Sequence, residues 1–328
     1  MRTDGTEFPK GLVLAKPIGQ ESYKESVLHT LEQQGNLIIQ QKHDGYKLIA
    51  IRGGDGRFRI WTVGGRPVHG RLGHVMKVLE SRPFPWGTVL VGEGLMFEED
   101  AERYEWTAKV FQGGDESGLS AQKEHGRAVF RIFQAFNLED LSAGVAGRSY
   151  GETLAWLSET AGPRNRAVSV VPSLSMKLDD AKTVVAAQGW EGLVLTDARY
   201  RLTWRTDGGT EPRPKGCYKF KPLTEDDFVI LPDGRIWHKD GRLKEVVLYQ
   251  RDPGTGKLFS CGKLGTFSRE VRDKLSSPSL APSVMQVAFE RRNPDTGKLR
   301  FARFMRLRDD KLAASCVAPA SYPKSETV

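Results

Sequence analysis

Lys42 begins a Lys-His-Asp-Gly segment that lies two residues beyond the apolar run Leu37-Ile38-Ile39. The apolar run predicts a strand, so the lysine is placed where a strand ends and a turn begins. A lysine amine can attack an electrophilic phosphorus once it has lost its proton, and burial or nearby cations favour that loss. Segments of four residues also arise by chance in turns, so an exposed strand-to-turn junction is the alternative.

Two glutamates lie beside apolar strands in glycine-rich surroundings. Glu93 lies within Val91-Gly92-Glu93-Gly94-Leu95, and Glu191 directly precedes Gly192-Leu193-Val194-Leu195. A carboxylate in an apolar strand is costly unless a cation or a donor meets it. Glycines beside it let a ligand approach the backbone closely. The alternative is a strand-end glutamate that points to solvent.

Lysines alternate in the segment Tyr218-Lys219-Phe220-Lys221-Pro222. Successive side chains of a strand point to opposite faces, so Lys219 and Lys221 project from the same face. Two like charges on one face repel each other unless an anion lies between them. The pattern therefore favours a bound anion, and a solvated strand face is the alternative.

The composition indicates a globular protein with a polyanionic partner. The chain has 328 residues, a net charge of +8 and a pI of about 9.3, which suit two domains and a phosphate-rich ligand, although many basic proteins bind no nucleic acid. Its three cysteines contain no CxxC pair, which favours a reducing compartment. The N-terminus has no apolar segment of the kind that predicts a signal peptide. No apolar run is long enough to predict a membrane span. We expect a cytoplasmic protein, in the host cytoplasm if its source is viral.

The periodicity of apolar residues predicts a mixture of helices and strands before Pro222 and mainly short strands after it. The predicted helices are 21–34, 151–161, 179–188 and 268–275, and the predicted strands of the first part are 37–42, 47–52, 57–63, 87–97, 128–138, 193–195 and 218–221. Residues 199–217 are rich in glycine, proline and basic residues and predict a loop. Beyond Pro222, short strands alternate with turns at 232–234, 253–256 and 294–297, which is typical of a small OB-type barrel.

These segments, in this order, resemble the motifs of covalent nucleotidyltransferases, which include DNA ligases, RNA ligases and mRNA capping enzymes. Lys42-His43-Asp44-Gly45 resembles the K-x-D-G nucleophile motif, and Glu93 stands in the third motif. Phe133 looks like the aromatic that stacks on the purine, Glu191-Gly192-Leu193-Val194 is similar to the E-G-hydrophobic motif, and Lys219-Phe220-Lys221 to K-x-K. The segment 301–311 looks like the R-F-x-R-x-R-x-D-K motif. The six motifs span residues 42–311.

Within this superfamily, the C-terminal segment resembles that of ATP-dependent DNA ligases, and the length resembles small phage ligases. The resemblance implies an α+β fold. A nucleotidyltransferase (ATP-grasp-like) domain with antiparallel sheets would occupy residues 1–222, and an OB-fold β-barrel domain would occupy residues 223–328.

The resemblance also implies the chemistry of each residue. Lys42 would attack the α-phosphate of ATP and become a lysyl-AMP phosphoramidate, with Lys219 and Lys221 as further catalytic residues. Glu93 and Glu191 would lie beside a metal ion, Mg²⁺ or Mn²⁺. The implied nucleotide contacts are Gln40, Lys42, Asp44, Gly45, Lys47, Glu93, Phe133, Glu191, Lys219, Lys221, Arg306, Arg308 and Lys311.

The implied partner is nicked double-stranded DNA, bound by a monomer. Basic residues would contact its phosphates without reading sequence. The predicted DNA contacts are Arg52, Arg66, Arg205, Arg213, Arg291, Lys298 and Arg300.

The chain departs from the ligase pattern at a few positions. Lys47 stands where many DNA ligases have arginine, so a bidentate contact is lost and Arg52 is a candidate to replace it. Gln40 stands where glutamate is common, but its amide oxygen can still accept a hydrogen bond from the adenine amino group. Arg66 is offset from the expected position. An RNA ligase or capping guanylyltransferase, and a non-catalytic nucleic-acid-binding relative, remain alternatives.

Overall fold

The computed structural model of the chain describes residues 6–163, 165–293 and 296–319. The chain divides between Lys221 and Pro222 into two compact units, called the first and the second unit below. The Pro294-Asp295 half of one predicted turn lies outside the described residues. No helix of the described residues is both long and apolar enough to cross a membrane.

The strands of the first unit are mostly the apolar runs of the sequence. They are β1 (Val13–Leu14), β2 (Leu37–Lys42), β3 (Tyr46–Arg52), β4 (Phe58–Thr62), β5 (Thr88–Leu95), β6 (Phe97–Glu98), β7 (Ala101–Glu102), β8 (Val129–Asn137), β9 (Val168–Val170), β10 (Gly192–Asp197), β11 (Trp204–Arg205) and β12 (Cys217–Phe220). The helices are α1 (Glu25–Gln33), α2 (Gly73–Glu80), α3 (Tyr104–Gln112), α4 (Asp115–His125), α5 (Tyr150–Thr160) and α6 (Leu178–Gln188).

A five-stranded sheet in the order β4-β3-β5-β8-β9 forms the larger half of the first unit. Its strands are antiparallel except for the parallel pair β8 and β9. Residues of β3 alternate between two cores, as the period of a strand requires. Leu48 and Ala50 pack toward α2, α3 and α5, whereas Ile49 and Ile51 pack on the other face with Leu14 of β1.

A three-stranded antiparallel sheet in the order β12-β10-β2 forms the other half. Ile39, Leu193 and Leu195 lie on one face of this sheet and pack against α1 and α6. Gln40 of β2, Val194 of β10 and Lys219 of β12 are in register, so they lie on the opposite face. One face of this sheet is thus core, and the other carries polar side chains.

The second unit is a six-stranded antiparallel sheet with one helix. Its strands are β13 (Thr224–Ile230), β14 (Arg235–Trp237), β15 (Leu243–Arg251), β16 (Leu258–Leu264), β17 (Ser283–Phe289) and β20 (Arg303–Leu307), and its helix is α7 (Arg269–Ser276). A separate pair is made by β18 (Arg291–Arg292) and β19 (Leu299–Arg300). Phe228, Leu248, Met285 and Leu275 contribute to its core.

The mixed α+β class with antiparallel sheets is confirmed, while several elements of the first unit differ from prediction. Sequence periodicity did not predict α2, α3 or α4. The predicted helix 21–34 is shorter, since a 3₁₀ turn at Gln20–Ser22 precedes α1. Val27, placed on its apolar face, is exposed. The predicted loop 199–217 contains the short strand β11.

Candidate functional site

A cavity in the first unit lies between the polar face of the three-stranded sheet and the neighbouring face of the five-stranded sheet. It encloses roughly 910 Å³ of empty space, including its open mouth. Five predicted nucleotide contacts line its wall: Gln40, Lys42, Lys47, Glu93 and Phe133. The sheets therefore bring together side chains that are far apart in sequence.

Lys42, Glu191 and Lys221 form a linked ion-pair group at this site. Lys42 Nζ lies 2.6 Å from Glu191 Oε2, and Lys221 Nζ lies 2.9 Å from Glu191 Oε1. The pairing follows from the strand register, which places Gly192 opposite Lys42. The three side chains are 24%, 10% and 13% exposed, respectively. The Glu191 carboxylate is therefore held between two lysines with both oxygens engaged.

The electrostatic surroundings of Lys42 differ from the sequence expectation of an easily lost proton. Burial alone lowers the pKa of Lys42, but the carboxylates of Glu191 and Glu93 more than offset it, and the pKa is raised. With its pKa raised in this way, Lys42 is an ammonium ion at neutral pH, and an ammonium ion is not a nucleophile. A change in charge around Glu191 must precede any attack by Lys42.

Glu93 and Lys47 lie directly opposite each other on β5 and β3. Burial raises the pKa of Glu93 to about 7, although Lys42 and Lys47 pull it down. Burial likewise lowers the pKa of Lys47, although Glu93 pulls it up. For both Glu93 and Lys47, burial destabilises the charged form more than the oppositely charged partner stabilises it. The two lysines near Glu93 therefore do not bring its pKa back to the ordinary value of a glutamate.

We expect Glu93→Gln to stabilise the ligand-free protein above neutral pH. The folded state binds the Glu93 proton more tightly than the unfolded state, so ionised Glu93 costs stability as the pH rises from about 4.5 to about 7, by roughly 3 kcal/mol at most. Denaturant unfolding should show the variant more stable at pH 8 and equal to wild type near pH 4. An exposed control, Glu159→Gln on α5, should show no such pH dependence. A variant no more stable than wild type at pH 8 would refute this account of Glu93.

The turn after Lys42 is held against β5 by a close backbone approach. A Cβ on Gly45 would lie 2.4 Å from Gly94 O and 2.8 Å from Glu93 Cγ, so no larger residue fits without a shift. Asp44 is buried beside it, at 4% exposure. Gly45 and Asp44, both predicted nucleotide contacts, therefore lie in a turn that is held next to Glu93.

Gln40 is buried in the cavity wall with its amide group oriented by two partners. Its Nε2 donates a hydrogen bond of 2.7 Å to Val171 O, and its Oε1 accepts one from the Tyr150 hydroxyl. Turning the amide over would bring two acceptors together at Val171, so the orientation is fixed. The sequence analysis did not identify Tyr150, although the Ser149–Glu152 capping box that begins α5 is visible in the sequence.

Lys219 and Phe133 complete the set of predicted nucleotide contacts in the first unit. Lys219 lies opposite Val194, on the face that carries Gln40. Burial lowers the pKa of Lys219, and Lys221 and Lys42 lower it further. Phe133 lies on the cavity wall with Lys42 and Glu93. Lys219 and Lys221 thus add positive charge near Lys42, and positive charge of this kind favours an anion such as a phosphate.

Comparison with curated proteins shows what the chain is similar to in sequence. A curated protein of Kineococcus radiotolerans, named a probable DNA ligase, is 28% identical over 303 residues, which cover 85% of this chain and 56% of that protein. The chain is thus similar in sequence to proteins that are named probable DNA ligases. It spans 56% to 60% of the length of the curated relatives that it matches, and no family model matches it.

Two solved structures align with most of this chain. The structure named Pmar-Lig_Pre aligns with a TM-score of 0.67 at 17% identity, covering 91% of this chain and 68% of that one. A structure described as a minimal-scaffold Lig E DNA ligase aligns with a TM-score of 0.60 at 19% identity, covering 90% and 99% of the two chains. The chain therefore shares the fold of these two structures.

The basic residues of the ligase-like C-terminal motif are engaged within the second unit. Lys311 Nζ lies 2.5 Å from Asp227 Oδ2, and Arg308 Nη1 lies 3.5 Å from the same oxygen. Arg308 also pairs with Asp310, and Arg306 Nε donates to Gln286 Oε1 at 2.7 Å. The predicted nucleotide contacts of this unit form a cluster around Asp227 and Gln286.

The predicted DNA contacts of the first unit lie at several places on its surface. Arg52 Nη1 donates to Arg82 O and Phe84 O, so part of its guanidinium holds the loop before β5. Arg66 donates to Gln112 O, Arg205 pairs with Asp207, and Arg213 is exposed near Lys219.

The remaining predicted DNA contacts lie on and beside the β18–β19 pair of the second unit. Arg291 and Arg300 are opposite each other in register. The Arg300 guanidinium lies over the Phe301 ring at 5.3 Å, and Lys298 Nζ donates to Ser260 Oγ at 3.1 Å. These three residues form one basic surface on a two-stranded ribbon.

Proposed function

We propose that this chain is an ATP-dependent DNA ligase that seals nicks between a 5′-phosphate and a 3′-hydroxyl in duplex DNA. One observation carries the proposal. Lys42, the lysine of the K-x-D-G segment, lies on the wall of a cavity and shares Glu191 with Lys221. The similarity of the chain to proteins named probable DNA ligases supports DNA as the nucleic acid that is joined.

We propose the domain organisation that the sequence indicates. Residues 1–222 would form the nucleotidyltransferase domain and residues 223–328 an OB-fold domain, which is supported by a division of the chain next to Pro222 and by the all-antiparallel sheet of the second unit. The chain would act as a monomer in the cytoplasm.

In the first step, Lys42 Nζ attacks the α-phosphorus of ATP. An N–P bond forms, the bond from that phosphorus to the bridging oxygen of the β-phosphate breaks, and pyrophosphate leaves with the electron pair of that bond. Lys42, whose pKa is raised, releases one proton to solvent before the attack and a second proton to solvent as the N–P bond forms. Lys219 and Lys221 offset the charge of the phosphates. The product is lysyl-AMP on Lys42.

The residues at the cavity fit a divalent cation, Mg²⁺ or Mn²⁺. The pKa of Glu93 is raised by burial, so a cation beside it would stabilise the ionised carboxylate. Glu191, which lies next to Lys42, provides a second carboxylate. These two carboxylates would hold the ion, and oxygen ligands of this kind suit it. When bound, it would supply positive charge beside the α-phosphate and offset the carboxylates that keep Lys42 protonated.

The later steps transfer AMP to DNA and then release it. The 5′-phosphate at a nick attacks the phosphorus of lysyl-AMP and frees Lys42, and the 3′-hydroxyl then attacks the activated 5′-phosphate and expels AMP. Both steps depend on holding the two DNA ends in line. Sequence-independent contacts to phosphates from Arg205, Arg213, Arg291, Lys298 and Arg300 would serve this purpose.

A nick-sealing assay with purified protein tests this function. We expect a 5′-labelled nicked duplex to be joined in the presence of ATP and Mg²⁺, and no product with GTP in place of ATP. Labelling of Lys42 by GTP alone would instead identify a capping guanylyltransferase. Joining of nicked RNA but not DNA would identify an RNA ligase, and failure to form any adduct would identify a non-catalytic relative.

The orientation of Gln40 predicts discrimination between ATP and GTP. With its NH₂ fixed on Val171 O, the Gln40 carbonyl oxygen can accept from the 6-amino group of adenine, whereas the 6-oxo group of guanine offers no donor there. Tyr150→Phe removes the hydroxyl that helps to fix this amide. We expect the preference for ATP over GTP in adduct formation to fall about five-fold, equivalent to about 1 kcal/mol. Tyr200→Phe, also on the cavity wall, is the control. An unchanged preference would contradict this role of Tyr150.

A further inference from the structure

Glu102 lies beside the Lys42 segment although no recognised motif contains it. It ends the short hairpin of β6 and β7, which follows β5 and directly precedes α3. Its side chain is 14% exposed, so the carboxylate is turned into the protein. Burial of a carboxylate requires partners.

The partners of Glu102 are the residues on either side of Lys42. His43 Nδ1 lies 2.5 Å from Glu102 Oε1, and the Asp44 N–H donates to Glu102 Oε2 at 2.8 Å. Gln41 Nε2 donates to Glu102 Oε1 at 3.3 Å. Both carboxylate oxygens are therefore occupied by the segment that carries Lys42.

This arrangement fixes the backbone around Lys42 from two directions. Glu102 holds the residues before and after Lys42, while Gly45 packs against β5 on the next position of the turn. Several hydrogen bonds to one ionised carboxylate are stronger and more directional than neutral ones. The Lys42 ammonium, however, is paired with Glu191 and not with Glu102.

We propose that Glu102 is a positioning residue for lysine adenylation, which rests on the proposed function of Lys42. It holds the strand end so that Lys42 Nζ meets the α-phosphorus in line. Glu102 is not among the residues that line the cavity, so it contributes nothing to binding of the base. Its loss therefore lowers the rate of adduct formation and leaves the ATP concentration for half-maximal rate unchanged.

The test is single-turnover formation of the enzyme–AMP adduct by Glu102→Ala and Glu102→Gln, over a range of ATP concentrations. We expect the maximal rate of Glu102→Ala to fall roughly 10- to 100-fold, as misplacement of a reacting group does, with the half-maximal ATP concentration within about two-fold of wild type. Glu102→Gln keeps an acceptor for Asp44 N–H, so its rate should lie between those of Glu102→Ala and wild type.

Glu98→Ala is the matched control, because Glu98 lies on the same hairpin but pairs outward with Arg103 and is 46% exposed. Its adduct rate should stay near that of wild type. A second readout is sealing of a nick whose 5′-phosphate is already adenylated, which requires no lysyl-AMP. Glu102→Ala should retain this reaction.

Three results would overturn the proposal. They are an adduct rate of Glu102→Ala within about two-fold of wild type, an equal loss in Glu98→Ala, and an equal loss in sealing of the adenylated nick. Circular dichroism and thermal melting establish that each variant is folded. If wild-type protein itself forms no adduct, the proposed function fails first, and that outcome is distinct from all three.

Discussion

Replacing Lys42 with alanine abolishes adduct formation with ATP and lowers nick sealing by a factor on the order of 10⁴ or more. The alanine has no amine to bond to the α-phosphorus, and the second lysine of the group, Lys221, lies on the far oxygen of Glu191. The measurement is transfer of label from α-labelled ATP to protein, followed by a sealing gel. Lys42→Arg should fail as well, since a guanidinium stays protonated and cannot act as a nucleophile.

Controls separate the chemistry of Lys42 from its place in the fold. Lys77→Ala, on the exposed face of α2, removes a lysine of similar length without touching the cavity and should behave as wild type. Lys42→Ala should still seal a nick whose 5′-phosphate is already adenylated, because that reaction bypasses lysyl-AMP. Adduct formation that survives in Lys42→Ala would place the nucleophile elsewhere.

Replacing Glu191 with glutamine lowers the maximal rate of adduct formation by roughly 10²- to 10³-fold. Glu191 holds Lys42 and Lys221 at 2.6 Å and 2.9 Å, and the glutamine amide cannot balance both charges. Without it, two ammonium groups repel each other next to the phosphate site. The rate is measured under single-turnover conditions at saturating ATP.

The same variant should also change the pH dependence of the reaction. Glu191 raises the pKa of Lys42 through its charge and its hydrogen bond, against the lowering effect of burial. Removing that charge lowers the pKa of Lys42, so the residual activity of Glu191→Gln should reach its plateau at a lower pH than wild type. The assignment of Glu191 as the partner that keeps Lys42 protonated would be contradicted if the activity of Glu191→Gln reached its plateau at the same pH as wild type. It would also be contradicted if the plateau were reached at a higher pH.

The strands of the first unit could be predicted because short runs of apolar residues lie within them. Leu37-Ile38-Ile39 begins β2, and the apolar residues around Val91 form β5, which is buried along most of its length. Helices α3 and α4 have mixed polar sequences in which Trp106, Val110 and Phe111 are the main apolar positions. Their helical spacing is short and interrupted by Gly113-Gly114, so periodicity alone did not reveal it.

The residue types of the candidate site were accessible to sequence reasoning, whereas their pairing was not. Lys42 and Glu191 are 149 positions apart, and only the register of β2 with β10 brings them within 2.6 Å. Glu102 lies in a charged segment, Glu98 to Arg103, where one carboxylate cannot be distinguished from its neighbours by sequence. The raised pKa of Lys42 follows from these pairings, and hence could not be expected from the segment alone.

The central claim is that Lys42 carries AMP from ATP to a DNA 5′-phosphate, and a pulse–chase experiment tests it most directly. The protein is labelled with α-labelled ATP, the adduct is located by mass spectrometry, and the labelled protein is then mixed with nicked duplex DNA without free ATP. We expect AMP on the peptide that contains Lys42, transfer of the label to the 5′ end at the nick, and release of the label as the nick is sealed. An adduct on another residue, or an adduct on Lys42 that nicked DNA does not discharge, would contradict it.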